Sequence, residues 1–302
     1  MNPLSHGVLN LLKPPGMTSH DAVSWAWRVL KTKRVGHTGT LDPAAAGVLP
    51  LCVGQATRLV EMLQSGTKEY LAEATFGYET DTLDAVGQIV RSCDASALTE
   101  AQIERVLGGF RGQGMQQPPM HSAIKVGGRK LYEIAREGGV VEVAARPVVI
   151  SHLEMTRFWL GSDSQGPRAL VRIECSGGTY IRSLVRDIGR ELGLAATMTF
   201  LTRTRNGHFD LADAWTPAEF EAAPRLLGLG QILERIAGPA RVDDEATLQL
   251  WQGRRVARDI AGTSSPVLLC NREHSLWVLA VACEGATANL WKAEKVFDMR
   301  AD

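Results

Sequence analysis

One histidine and one aspartate share the stretch Gly36-His37-Thr38-Gly39-Thr40-Leu41-Asp42-Pro43, which runs on to Pro50 with no other charged side chain between Arg34 and Arg58. Three glycines and two prolines in so short a span hold a backbone in special conformations. The apolar run Val48–Val53 that follows has the length of a buried strand. A lone carboxylate on a stiff loop ahead of a core strand is how a fold presents one nucleophile or base at a fixed place. The plain alternative is an Asx-turn in which Asp42 caps its own backbone before Pro43. A second stretch with chemistry in it is Ser176-Gly177-Gly178-Thr179-Tyr180-Ile181-Arg182. Two glycines before a hydroxyl N-cap give a tight strand-to-helix turn, and the exposed amides of such a turn suit an anion. A third is the polar loop Thr80-Asp81-Thr82-Leu83-Asp84, whose residue types form turns readily.

The elements that position these groups follow from periodicity. Gly7–Leu12 reads as a first strand ended by Lys13-Pro14-Pro15-Gly16, and Ser19 as the N-cap of a helix over 21–30 with Val23, Ala26, Trp27 and Leu30 on one face. Arg28, Lys31, Lys33 and Arg34 form a basic exit, suited to a helix C-terminus or to phosphate. A helix over 56–63 precedes an alternating strand over 68–77, and Thr99-Glu100-Ala101-Gln102 is a capping box. Residues 116–130 lack apolar periodicity and read as a basic loop, with a short helix over 131–137. Strands are expected over 148–158, 168–175 and 197–209. The helix after Tyr180 turns Ile181, Leu184, Val185 and Ile188 inward and leaves Arg186 and Arg190 solvated. Residues 215–233 are helical with a break at Pro224-Arg225. From Arg241 a capped helix over 243–251, the basic turn Gly253-Arg254-Arg255 and three short strands make a small β-rich module.

At 302 residues, 45% hydrophobic and 22% charged, the chain has the composition of a globular protein of one large domain or two. No apolar run is long enough to span a membrane, and Met1 to Thr18 lacks the long apolar region expected of a signal peptide. Its five cysteines are scattered and never spaced C-x-x-C, which fits reduced thiols in the cytoplasm and no zinc site. The formal net charge of zero weighs weakly against nucleic acid, since patches escape a sum.

The loop from Gly36 to Pro50 resembles the core motif of the TruB family of tRNA pseudouridine synthases, G-H-T-G-x-L-D-P-x-A-x-G-x-L-P, at every specified position. The run from Cys175 to Gly189 is similar to the family's C-S-x-G-T-Y-I-R-(S/T)-L-x-x-D-(L/I)-G. Lys13-Pro14-Pro15-Gly16-Met17-Thr18-Ser19, Thr80–Gly87, Pro118–Tyr132 and Leu201–Phe209 resemble its other motifs. The resemblance implies that Asp42 is the catalytic carboxylate and Arg182 its partner. It implies that His37, Tyr70, Tyr180, Leu201, Asp84, Lys13 and Lys125 line the substrate site. Tyr70 would stack on the target base and Leu201 wall its pocket. An inserted thumb, about 116–147, would clamp an RNA stem-loop through Lys125, Arg129 and Lys130.

The expected fold is α+β: a large mixed, mainly antiparallel sheet flanked by helices over 1–238, and a small β-rich, PUA-like RNA-binding domain over 239–302. The expected activity is conversion of uridine 55 in the T-loop of tRNA to pseudouridine, without cofactor or metal. tRNA, through its T-arm stem-loop, is the expected partner, with no membrane and no protein partner, and the cytoplasm the expected location. The carboxylate can attack C6 of the uracil, attack C1′ of the ribose, or act as a base at C2′. The uridine must leave its stack for any of these, and His37 is suited to fill the space it vacates or to hold the flipped base. Two rivals are an α/β adenylyltransferase, which lacks its second histidine here because Thr40 follows Gly39, and a non-catalytic RNA-folding protein on the same scaffold.

Overall fold

A computed structural model of the chain describes residues 4–122, 124–139, 141, 143–161, 166–257, 266–283 and 290–299. The first apolar run forms β1 (Gly7–Lys13) and leads to α1 (Ser19–Leu30). Thr18, and not Ser19, is the N-cap. Its hydroxyl accepts from the Asp21 amide while the Asp21 carboxylate accepts from the Thr18 amide. The glycine-rich loop leaves β2 (Val35–His37) and enters β3 (Ala46–Val53). A 3-10 turn over Gly54–Leu59 and α2 (Val60–Ser65) stand where one helix is expected, followed by β4 (Lys68–Phe76). The polar loop over 80–88 joins β5 (Tyr78–Thr80) to β6 (Ile89–Ser92). Capped by Thr99 and Gln102, α3 (Glu100–Gly109) precedes β7 (Gly112–Gln116).

The segment read as a loop over 116–130 is partly structured. It holds a hairpin, β8 (Lys125–Val126) and β9 (Arg129–Lys130), and then α4 (Leu131–Arg136). The main chain returns through β10 (Arg146–Trp159) and β11 (Arg168–Cys175) to α5 (Ile181–Glu191). Next come β12 (Ala196–Asn206), β13 (Phe209–Asp210), α6 (Pro217–Ala222), β14 (Leu227–Gly228) and α7 (Leu229–Ala237). The last part is β15 (Arg241–Val242), α8 (Asp244–Trp251), β16 (Val256–Ala257), β17 (Val267–Cys270), β18 (Leu276–Ala282) and β19 (Leu290–Asp298).

The architecture is α+β, as expected. The large sheet is ten-stranded, in the order β14-β1-β3-β12-β4-β11-β10-β7, with β2 added on β3 and β13 on β12. Its pairs are antiparallel except β3 with β12, which meet in parallel at Ala46–Thr202 and Gly47–Arg203. That junction requires glycine: a Cβ on Gly47, whose φ is 114°, would sit 2.2 Å from the Arg203 carbonyl oxygen. The loop before β3 is thereby brought to the middle of the sheet. A second, five-stranded sheet runs β15-β17-β18-β19-β16.

Alternation along β3 explains its unbroken apolar run. Leu49 and Leu51 join the core that also takes Ile181, Leu184, Val185 and Ile188 of α5. Val48 and Cys52 point into a second core, shared by Val8, Leu59 and Leu63 with Leu268, Trp277, Leu279 and Phe297 of the five-stranded sheet. Both faces of this strand are buried, so no polar position interrupts it.

Candidate active site

The turn at Asp42 is made by its backbone: the Ala45 amide donates to the Asp42 carbonyl at 3.1 Å, with Pro43 at the second position. The side chain is left for other work and pairs with Arg182 at two points. Nε of Arg182 lies 2.9 Å from Asp42 Oδ2, and Nη2 donates to Oδ1 at 3.0 Å. This fork-to-fork geometry fixes the direction of the carboxylate as well as its place. Arg182 is itself immobilised. Nη1 donates to the Thr82 carbonyl at 2.9 Å and lies 3.6 Å from Asp84 Oδ2, and Nη2 also donates to the His121 carbonyl at 2.9 Å. The guanidinium is 6% exposed, whereas the Asp42 side chain keeps 30% of its surface open. The arrangement is a carboxylate aimed by a buried cation, with one side free to meet a reactant.

Asp84 stands where Arg182 needs it because Leu83 adopts φ 63° in the tight loop between β5 and β6. Thr82 Oγ1 donates to Asp84 Oδ1 at 2.6 Å and the Val86 amide at 3.1 Å. Its contact is with Arg182, so it braces the pair.

Every carbonyl from Gly39 to Pro43 has a donor. Arg203 serves Gly39 at 3.0 Å and Thr40 at 3.3 Å, Ser19 Oγ serves Leu41 at 3.0 Å, and Ala45 serves Asp42. The Gly16 amide, at 2.8 Å, and Lys13 Nζ, at 3.3 Å, serve Pro43. Ser19 Oγ also accepts from the Leu41 amide at 2.8 Å, which is why this serine is not the helix cap. Lys13, expected at the substrate, is fully buried and gives its remaining bonds to the carbonyls of Pro14 and Met17. Burial brings its pKa down to about 8, against the pull of Asp42, which raises it. In this structure it joins the Pro-Pro-Gly turn to the Asp42 loop.

His37 ends β2 on the same loop. Its Nδ1 accepts from the Gly39 amide at 3.3 Å, which leaves Nε2 to carry the proton of a neutral ring. Burial first, then the charges of Arg203 and His20, lower its pKa. Tyr70 lies on β4 opposite Arg203 of β12 and Ile173 of β11. It and Leu201 are only 8% and 7% exposed and belong to the main core together with Leu41 and Ala45. Burial pushes the Tyr70 phenol up, with Arg203 opposing. Tyr180, and not Thr179, is the N-cap of α5, and its side chain makes no capping hydrogen bond. Its amide donates to Gln116 Oε1 at 2.8 Å and its carbonyl accepts from Gln116 Nε2 at 3.0 Å. The side chain of Lys125 lies outside the described residues.

Further bonds tie the root of the inserted segment to α5: Ser183 Oγ donates to the Gln117 carbonyl at 3.0 Å and Arg186 Nη2 at 3.4 Å. Arg186, expected in solvent, is therefore 8% exposed, while Arg190 stays half-exposed beside Glu79. Gln116, Arg203 and the tie from Ser19 to Leu41 were not singled out by the sequence reading. The only signal for Arg203 is its place in the run from Leu201 to Phe209. Among the described residues no cluster of His, Cys, Asp and Glu is placed to hold a metal ion.

Two family models match the chain. One, described as TruB family pseudouridylate synthase (N terminal domain), covers residues 27–181. The other, described as tRNA pseudouridylate synthase B C-terminal domain, covers residues 182–229. The chain is 46% identical over 263 residues to the tRNA pseudouridine synthase B of Symbiobacterium thermophilum, spanning 86% of this chain and 83% of that relative. It is 53% identical over 218 residues to the protein of the same name from Pelotomaculum thermopropionicum, spanning 72% and 69%. Among solved structures it is similar to a chain of a Cbf5-Nop10-Gar1 complex, with a TM-score of 0.69 and 26% identity over 98% of this chain and 87% of that one. It is also similar to a chain of an H/ACA RNP bound to a substrate RNA containing 2′-deoxyuridine, with a TM-score of 0.68 and 25% identity over 99% and 87%.

Proposed function

The chain belongs to the TruB family of pseudouridylate synthases, and from that premise we propose that it converts uridine 55 in the T-loop of tRNA to pseudouridine. The reaction is an isomerisation. The N1–C1′ bond breaks, a C5–C1′ bond forms, the C5 proton leaves to solvent, and N1 takes up a proton. Asp42 is the catalytic residue, acting as nucleophile or base on the uridine, and Arg182 orients it. The observation that carries this reading is the two-point ion pair between them, buried on the arginine side and open on the aspartate side. A carboxylate held in this way loses little freedom on reaching the transition state.

The target uridine is extruded from its stack before reaction. The neutral His37 ring fills the space left behind, Tyr70 stacks on the base and Leu201 walls its pocket. Tyr180 contacts the substrate, while Asp84 and Lys13 act one step back by holding Arg182 and the loop. Lys125, Arg129 and Lys130 of the inserted thumb meet RNA phosphates. Residues 1–238 form the catalytic domain, and 239–302 form a PUA-like module that meets RNA away from the T-loop. The chemistry asks for no cofactor and no protein partner, and its tRNA substrate belongs to the cytoplasm.

The test is a tRNA transcript tritiated at C5 of its uridines, incubated with the pure protein and no added cofactor. Release of one tritium per tRNA, abolished by a cytidine at position 55, is expected. No release, or a product mapped to another position, would overturn the reading.

A further inference from the structure

Arg203 is a fully buried cation with no carboxylate in ion-pair range among the described residues; its side chain is 1% exposed. Its hydrogen bonds fan out over both ends of the Asp42 loop. Nη2 reaches the Gly39 carbonyl at 3.0 Å, Nη1 the Thr40 carbonyl at 3.3 Å, and Nε the Val48 carbonyl at 2.8 Å. Burying a guanidinium without a counter-ion costs stability that an apolar side chain at the same place in β12 would not. Only arginine carries a rigid fork of donors wide enough to hold acceptors on two separate strands of chain at once.

We propose that Arg203 is a positioning residue for Asp42, closing the loop from Gly39 to Val48 like a clasp so that the carboxylate arrives at Arg182 already in place. The proposal rests on the catalytic role given to Asp42 above. Thr40 and Gly39 lie just ahead of the aspartate and Val48 just behind it. With Ser19 fixing Leu41 and Lys13 fixing Pro43, the backbone on each side of Asp42 is held, and Arg203 bridges the carbonyls of Gly39 and Thr40 to that of Val48. Its charge is felt locally as well: after burial, it helps to lower the pKa values of Lys13, His37 and Lys68, and at Tyr70 it opposes the upward push of burial.

The experiment compares Arg203→Met and Arg203→Lys with Leu49→Ala, a core change in the same β3 that touches no loop carbonyl. Turnover and KM for tRNA are measured well below each melting temperature, and His37 is titrated by proton NMR. A slip of about 1 Å in a catalytic group costs on the order of 100-fold in rate. Arg203→Met should therefore lower kcat by about that factor with KM within about threefold. Arg203→Lys, which keeps the charge but cannot span the carbonyls, should lose at least about tenfold. Leu49→Ala should lose stability and little kcat. The His37 titration should move upward in Arg203→Met, and it reads the neighbourhood of the loop independently of any activity. If Arg203→Met does not fold, Arg203→Lys decides. Turnover within threefold of wild type in a folded Arg203 variant, or an equal loss in Leu49→Ala, would overturn the positioning role. A wild-type protein that makes no pseudouridine would instead refute the function.

Discussion

Arg182 and His121 are joined by a 2.9 Å hydrogen bond from Nη2 to the main-chain carbonyl, and the same nitrogen donates to Asp42 at 3.0 Å. The root of the inserted segment and the candidate catalytic pair therefore share one donor. Together with the bonds from Gln116 to Tyr180 and from Ser183 to Gln117, this makes the base of the segment part of the wall of the site. Any shift of this root shifts the support of Arg182 with it.

Arg182→Met should lose most catalysis, and Arg182→Lys should recover little of it. A lysine can reach the Asp42 carboxylate, but it cannot hold Thr82, Asp84 and His121 at the same time. Removing the cation also strands two part-buried carboxylates, so stability should fall by about 2 kcal/mol. Single-turnover rates and urea denaturation of both variants measure the two effects separately. A lysine variant with wild-type rate would show that charge alone, and not the fork, is what the site needs.

Asp42→Asn should abolish turnover and leave tRNA affinity within about tenfold, because one neutralised group among many RNA contacts carries little binding free energy. Filter binding and tritium release on the same preparation check this. Pseudouridine formed by the variant near the wild-type rate would remove Asp42 from the chemistry.

His37 offers a pH signature. Its folded-state pKa is depressed, chiefly by burial and then by Arg203 and His20. The unfolded chain therefore binds the proton at a higher pH than the native one. Stability is complete above the ordinary histidine range and is lost as pH falls from about 6.5 toward the lowered value, by about 1.4 kcal/mol per unit of depression. His37→Gln should abolish that slope, read as the difference between the two proteins' denaturation free energies from pH 5 to 7.5. In turnover, His37→Ala should slow base extrusion more than chemistry. A tRNA whose T-loop is already disordered should restore most of the loss; if it restores none, His37 has no part in extrusion.

Much of this was legible in the residues. The long strands and the buried face of α5 followed from periodicity, while β2 and β5 to β9 did not, and β14 interrupts a stretch expected to be helical. The resemblance of two separated motifs paired Asp42 with Arg182. What escaped was the support beneath them. Ser19 has the type and position of a helix cap, and its bond to Leu41 is invisible without the fold. Arg186 falls on the polar side of its helix, where it pairs with Asp187 and reaches the carbonyl of Gln117, a partner that only the fold brings near. Arg203 sits in a strand of alternating threonines and arginines, a pattern that reads as a solvated face. Side chains that hold distant carbonyls leave no local signature, because a carbonyl is present at every residue.

The five-stranded sheet changes the experiment that tests its own role. As a separate module, it should be removable by ending the chain near Pro239 without loss of the residues assigned to chemistry. In the structure Val8, Val48, Cys52, Leu59 and Leu63 are buried against Leu268, Trp277, Leu279 and Phe297. Gln55 and Arg58 also donate to the carbonyls of Asp298 and Val296. Uncovering several such side chains at roughly 1.5–3 kcal/mol each removes an amount comparable to the whole stability of a domain. The truncated chain should therefore aggregate, which says nothing about RNA. Charge substitution is the cleaner probe. Arg254 and Arg255 are exposed beside the glycine turn at Gly253, while Arg258 lies outside the described residues. The double variant Arg254→Ala with Arg255→Ala should keep its melting temperature and its rate at saturating tRNA. Its KM for full tRNA should rise and its salt dependence flatten by roughly one unit of slope per lost phosphate contact. An isolated T-arm stem-loop, too short to reach these arginines, should react as with wild type. Unchanged KM and salt slope for full tRNA would show that these arginines do not meet its phosphates.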